Sequence, residues 1–202
     1  MKVKICGLNP ARDAQLCIDL QVDYLGFVFY EKSSRNINKQ DIDILSRYEK
    51  KNSAFVAVTV DPSNEFIKRN LIGSFDFIQL HGSETKERVE EIKNMGFKVI
   101  KAIKVKKEKD IDQFKKFNNA EIILFDTPGL EKSSAFPKNL ITKLPLGPKY
   151  ALAGSISENN VENISKLGVN FFDLSSSLES QLGFKDHLKI KNFVKKINEL
   201  KN

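Results

Sequence analysis

Short apolar runs rich in β-branched and aromatic residues recur along the chain, at 3–6, 24–29, 54–60, 75–80, 98–103, 121–126, 150–154 and 171–175. Several are continuously apolar, the pattern of parallel strands buried on both faces. The stretches between them are polar with helical spacing. Leu16, Ile18 and Leu20 follow Pro10, Ile42, Leu45 and Tyr48 repeat at three, and so do Val89, Ile92 and Met95. In the last segment Leu188, Ile190, Phe193, Val194, Ile197 and Leu200 fall near one helical face. The strand starts lie roughly 20 to 30 residues apart, the length of a βα unit. Eight such units predict a single-domain α/β protein over residues 1–202, a (β/α)8 TIM barrel at the small end of its size range. The competing open doubly wound sheet would carry a Gly-rich turn after its first strand. Here that strand leads into Cys6-Gly-Leu-Asn-Pro10, with no such turn.

Turn residues sharpen the boundaries. Asp61 before Pro62 reads as an N-cap with proline in the first helical turn, and Ser157 and Asp186 read as caps of the seventh and eighth helices. The proline- and serine-containing segment 127–147 reads as a long loop followed by a short helix. Long loops in compact barrels usually serve function.

Composition narrows the setting. The 202 residues hold 33 basic and 26 acidic side chains, a formal charge of +7. Only Arg12, Arg35, Arg47, Arg69 and Arg88 are arginines, and the lysines are dispersed among acids. Readers of nucleic acid concentrate charge on one element and use arginine for paired contacts, so the excess reads as a solvated surface compatible with a small anionic ligand. No apolar run approaches the ~20 residues of a membrane-spanning helix. Met1 leads straight into a strand without a signal-peptide apolar region, and Cys6 and Cys17 make no disulfide framework. These features predict a reducing, cytoplasmic setting. Two histidines and two cysteines far apart show no metal-ligand spacing.

A barrel builds its site at the C-terminal ends of its strands. The residues there are Cys6, Arg35, Asp61, His81, Lys104, Asp126, Gly154, Ser155, Ser175, Ser176 and Ser177. Each has two readings. Cys6 is a small buried hydrophobe or a reactive thiol; Asp61 is a cap or a site acid; His81 is a structural or a site histidine; Lys104 is solvated or ligand-facing. Asp126 stands out because it closes an apolar strand and precedes the long loop. Gly154-Ser155 and Ser175-Ser-Ser177 suit either ordinary turns or a phosphate site, where backbone N–H groups approach an anion closely.

The ordered motifs resemble the phosphoribosylanthranilate isomerase family of tryptophan biosynthesis. They are Lys4-Ile-Cys-Gly-Leu8, Leu25-Gly-Phe-Val-Phe29, Ser33-Ser-Arg-Asn-Ile37, Val58-Thr-Val-Asp-Pro62, Gln79-Leu-His-Gly82, Leu124-Phe-Asp126, Leu152-Ala-Gly-Ser155, Phe172-Asp-Leu-Ser-Ser176 and Gly183-Phe-Lys-Asp186, with Glu179 between the last two. The resemblance implies a single barrel that converts N-(5-phosphoribosyl)anthranilate into 1-(2-carboxyphenylamino)-1-deoxyribulose 5-phosphate by an Amadori rearrangement, without metal or organic cofactor, as a monomer or homodimer. By the same resemblance Cys6 is the general base at C2, Asp126 the general acid at the furanose oxygen, and Arg35 the partner of the anthranilate carboxylate. Gly154, Ser155, Ser176 and Ser177 bind phosphate, and His81 and Asp173 position the substrate. Such chemistry expects surroundings that lower the thiol pKa and raise that of the carboxyl acid.

The chain also departs from the family pattern. The family's Gly-Gly-Thr-Gly loop is replaced by Thr127-Pro-Gly-Leu-Glu-Lys-Ser-Ser-Ala-Phe136, and serines stand at positions 155 and 177 where the family has glycine. Each serine is tolerated at negative φ; a positive φ costs about 1 kcal/mol or more. Two other readings of the chain remain: a different sugar-phosphate barrel enzyme, and a non-catalytic binder of phosphorylated ligands or nucleic acid.

Overall fold

The structure, a computed structural model, describes residues 1–129 and 135–201. Eight parallel strands close into a barrel in chain order: β1 (Lys2–Cys6), β2 (Tyr24–Phe29), β3 (Ala54–Thr59), β4 (Phe77–Leu80), β5 (Lys98–Lys104), β6 (Ile122–Asp126), β7 (Tyr150–Leu152) and β8 (Phe171–Leu174). Helices fill the crossovers: α1 (Pro10–Asp19), α2 (Lys39–Leu45), α3 (Asn64–Asn70), α4 (Lys86–Asn94), α5 (Glu108–Ile111, continued by a 3-10 turn), α6 (Lys138–Ile141), α7 (Val161–Ser165) and α8 (His187–Lys201). A short antiparallel hairpin, β9 (Glu179–Gln181) and β10 (Phe184–Lys185), is inserted between β8 and α8. The eight expected strands and the barrel are all present. No helix among the described residues is long and apolar enough to cross a membrane.

The strands read as unbroken apolar runs because both faces are covered. Alternate residues such as Phe55, Ala57, Ile78 and Leu80 pack outward against the helices. Their neighbours, among them Val56, Val58, Phe77, Ile100, Ala102 and Leu124, fill the barrel interior. The two-residue period carries the inner face upward to the chemistry. Phe77 leads to Gln79 and then His81, Ile122 and Leu124 lead to Asp126, and Phe171 leads to Asp173. Register across the β1–β8 seam places Lys4 opposite Asp173.

Two predicted caps are corrected. Helix α3 starts beyond Pro62, and Ser63 is its cap, accepting the Phe66 N–H at 3.1 Å. Asp61 instead adopts φ +46 and its carboxylate accepts the Ser83 N–H at 2.9 Å, tying the turn after β3 to the turn after β4. Helix α7 starts after Asn160, three residues beyond Ser157, and Asn160 Oδ1 accepts the Ser157 N–H at 2.8 Å. Asn160 thus ties back to the turn before α7 and makes no side-chain bond to a helical N–H. Asp186 does cap α8, accepting N–H groups from Leu188 and Lys189 at 2.9 and 3.1 Å. The short helix expected after β6 is α6, while residues 130–134 of the unusual loop lie outside the described residues.

Candidate active site

A cavity of about 390 Å³ opens at the C-terminal ends of the strands. Among the residues lining it are Cys6, Arg35, His81, Lys104, Asp126, Gly154, Ser155, Asp173 and the serine run 175–177. The tertiary structure therefore brings together all but one of the residues singled out from sequence. The exception is Asp61, whose carboxylate is occupied at the Ser83 turn as described above.

Asp126 ends β6 with its two oxygens differently engaged. Oδ1 accepts the Thr127 N–H at 2.8 Å, and Oδ2 lies 3.3 Å from His81 Nε2. On the far side of the imidazole, Gln79 Nε2 is 3.1 Å from Nδ1. The Gln79 amide thus holds the ring from behind while Nε2 faces Asp126. Gln79 Oε1 is buried without a partner among the described residues. Behind His81, Glu84 accepts both the Asp61 and the Gly82 N–H groups and pairs with buried Lys101 at 2.7 Å. That ion pair pins the turn from which the imidazole projects. Burial works against the Glu84 charge, but Lys101 and the backbone donors hold its carboxyl below the usual range.

Cys6 ends β1 on the opposite wall. Asp173 stands between the two walls: its carboxylate is held by Lys4 and also feels the charges of Asp126 and His81. Burial holds the Asp173 carboxyl above its ordinary value despite Lys4. Burial also raises the Cys6 thiol, with Lys4 and Lys185 opposing the rise and Asp173 adding to it. This overturns the expectation that the site lowers the thiol. Desolvating a small anion at the barrel mouth outweighs the attraction of the two nearby cations.

Arg35 reaches the cavity from the loop after β2. Its Nε and Nη2 donate to Glu179 Oε1 and Oε2 at 2.6 and 2.8 Å, a paired contact with both side chains buried. Lys185 donates to the same Oε1 at 2.8 Å and to the Ser175 carbonyl at 3.1 Å. Burial opposes the Glu179 charge, yet Arg35 and Lys185 hold its carboxyl down to about 2. The arginine stem crosses Gly7, which adopts φ +74, and a β-carbon there would collide with Arg35 Cδ. Glycine after the cysteine thus serves both the turn and the arginine.

Comparison with known proteins decides the family. Residues 3–196 match the family described as N-(5'-phosphoribosyl)anthranilate (PRA) isomerase. The chain belongs to that family. Curated relatives named N-(5'-phosphoribosyl)anthranilate isomerase include one from Thermoanaerobacter pseudethanolicus, 33% identical over the whole of both chains. Another, from Aquifex aeolicus, is 36% identical over 97% of this chain and 98% of its own. A crystal structure of phosphoribosyl anthranilate isomerase in complex with reduced 1-(o-carboxyphenylamino)-1-deoxyribulose 5-phosphate superposes with a TM-score of 0.82. It is 29% identical, over 98% of this chain and 99% of that one.

Within this phosphoribosylanthranilate isomerase barrel the two serines that replace glycine differ. Ser155 follows Gly154 (φ 111) and itself adopts φ 50, the left-handed region in which a side chain is strained. Ser177 lies in a 3-10 turn, Ser176–Leu178, and has no positive φ. One substitution is therefore costly and the other is not. Residues missed in the sequence as parts of the site are Gln79, Lys4, Glu179 and Lys185. For Lys4 and Gln79 a signal existed: each sits two residues before an inward site residue, and a polar side chain inside a buried strand needs a partner.

Proposed function

We propose that this chain isomerises N-(5-phosphoribosyl)anthranilate to 1-(2-carboxyphenylamino)-1-deoxyribulose 5-phosphate, with Asp126 as general acid and Cys6 as general base. The observation that carries this reading is the placement of a carboxyl with a histidine behind it and a thiol on opposite walls of one cavity. The Asp126 proton goes to the furanose oxygen as the C1–O bond breaks, leaving an iminium at C1. Cys6 then takes the C2 proton, and the electron pair of the C–H bond forms an enolamine that becomes the ketone. No atom is gained or lost, so acid and base on two sides suffice.

Because Thr127 N–H occupies Asp126 Oδ1, the transferable proton belongs on Oδ2, beside His81. His81, fixed by Gln79, orients that oxygen, and Asp173 positions the sugar between acid and base. Arg35 meets the anthranilate carboxylate, a ligand that a planar fork suits better than lysine would. Gly154, Ser155, Ser176 and Ser177 receive the phosphate. The +7 charge gathers a substrate bearing phosphate and carboxylate, an effect that salt weakens.

The test is turnover of freshly generated phosphoribosylanthranilate, followed by loss of its fluorescence. Wild type should exceed the spontaneous rate and Cys6→Ser should not. A wild-type rate equal to background rejects the isomerase reading, and full activity in Cys6→Ser rejects the base.

A further inference from the structure

Lys4 lies two residues before Cys6 on the inner face of β1 and is 1% exposed. An ammonium in such a place costs several kcal/mol unless it is paired, so its presence within an apolar strand calls for a function. Its Nζ is 3.0 Å from both carboxylate oxygens of Asp173. The same ammonium lies beside the thiol. A β-carbon added to Gly26 on the neighbouring strand would come within 3.1 Å of Lys4 Nζ and 3.3 Å of Cys6 Sγ. Gly26 is the gap in which cation and sulfur share one space. Cys6 and Asp173 line the cavity and Lys4 sits beneath them, so Lys4 acts through its neighbours rather than on a ligand.

We propose that Lys4 is a positioning residue for the isomerisation: it fixes the Asp173 carboxylate and presents a permanent positive charge to the Cys6 sulfur, setting how readily the thiol yields its proton. The proposal rests on Cys6 as the base. The charged groups that face Cys6 are Lys4 from β1, Asp173 from β8 and Lys185 from β10. At the sulfur the attraction of Lys4 outweighs the repulsion of Asp173. Lys185 is the weaker aid. It is committed to Glu179 and the Ser175 carbonyl, and burial pushes its ammonium down despite Glu179, with Arg35 adding to the fall. Burial depresses Lys4 too, but Asp173 and Cys6 together raise it, so its charge persists across the working pH range.

The experiment is the pH dependence of Cys6 alkylation by iodoacetamide, read by mass spectrometry of the Cys6 peptide without substrate. Cys17 does not compete, since it is 0% exposed and burial pushes its thiol up to about 12. Lys4→Gln should slow alkylation of Cys6 at pH 8 roughly tenfold, and Asp173→Asn should speed it. In turnover, Lys4→Gln should lower kcat about tenfold or more and recover as pH rises, with KM within about threefold of wild type. A merely structural lysine would not move the two thiol titrations in opposite directions. Alkylation of Lys4→Gln that matches wild type or is faster overturns the proposal. If that variant does not fold, the pair Asp173→Asn and Lys4→Gln/Asp173→Asn decides: slower alkylation in the double variant supports the role and equal rates overturn it. An inactive Cys6→Ser with an unmoved thiol titration rejects only Lys4's role. A fully active Cys6→Ser rejects the base and leaves the titration result standing.

Discussion

Arg35 and Glu179 meet in a buried two-point ion pair across the turn of the chain that follows β8, and Lys185 shares the same carboxylate. A residue far along the sequence thereby determines how the arginine of the second loop is presented to the cavity. Removing one partner of a buried pair leaves the other charge uncompensated. Glu179→Gln should therefore destabilise the barrel by about 3 kcal/mol in urea unfolding. It should also raise KM several-fold with a smaller change in kcat, because the guanidinium loses its orientation. A variant with wild-type unfolding and KM would show that the pair does neither.

The same carboxylate makes stability depend on pH. Its folded value, about 2, lies below its unfolded one, so its contribution is complete above the unfolded value and is lost as pH falls toward the folded one. The difference in unfolding temperature between wild type and Glu179→Gln should be constant near neutrality and shrink as pH drops from about 4.5 toward 2. A difference that persists unchanged down to pH 3 contradicts this.

Asp126→Asn keeps the size of the side chain but has no acidic proton to give, and its NH2 replaces one of the two oxygens that meet the Thr127 N–H and His81. Its kcat should fall by about 10²–10⁴-fold while circular dichroism and unfolding remain close to wild type. His81→Gln should cost less, because the imidazole orients Asp126 rather than replacing it. Steady-state rates of the two variants should rank in that order, and the reverse ranking would assign the acid to His81.

Ser155 carries left-handed backbone strain of about 1–2 kcal/mol, against roughly 0.5–1 kcal/mol of extra chain entropy that glycine would lose on folding. Ser155→Gly should raise the unfolding temperature by about 1–3 °C. Inhibition by inorganic phosphate should not weaken, since the turn keeps its shape. A lowered unfolding temperature would mean that the hydroxyl contributes more than the strain removes.

Much was legible in the chain itself. Eight β-branched runs at βα spacing predict the barrel because a strand buried on both faces must be continuously apolar, and the two-residue period alone puts Asp126 and Asp173 on the inner face. The motifs around Cys6, His81 and Asp126 indicate the family. What the sequence could not decide was pairing between distant residues. Asp61 reads as a cap because aspartate before proline usually is one, yet the fold carries it to Ser83. Glu179 and Lys185 show no partner in the sequence until the hairpin after β8 folds Glu179 against Arg35 and brings Lys185 to the same carboxylate. Barrel closure brings β8 beside β1, and only then does Lys4 acquire Asp173 as its partner, 169 positions away. Local periodicity specifies each element and its buried face, because those depend on near neighbours. Which charges are neutralised, and whether burial or a nearby cation prevails at Cys6, depends on distances that exist only after the barrel closes.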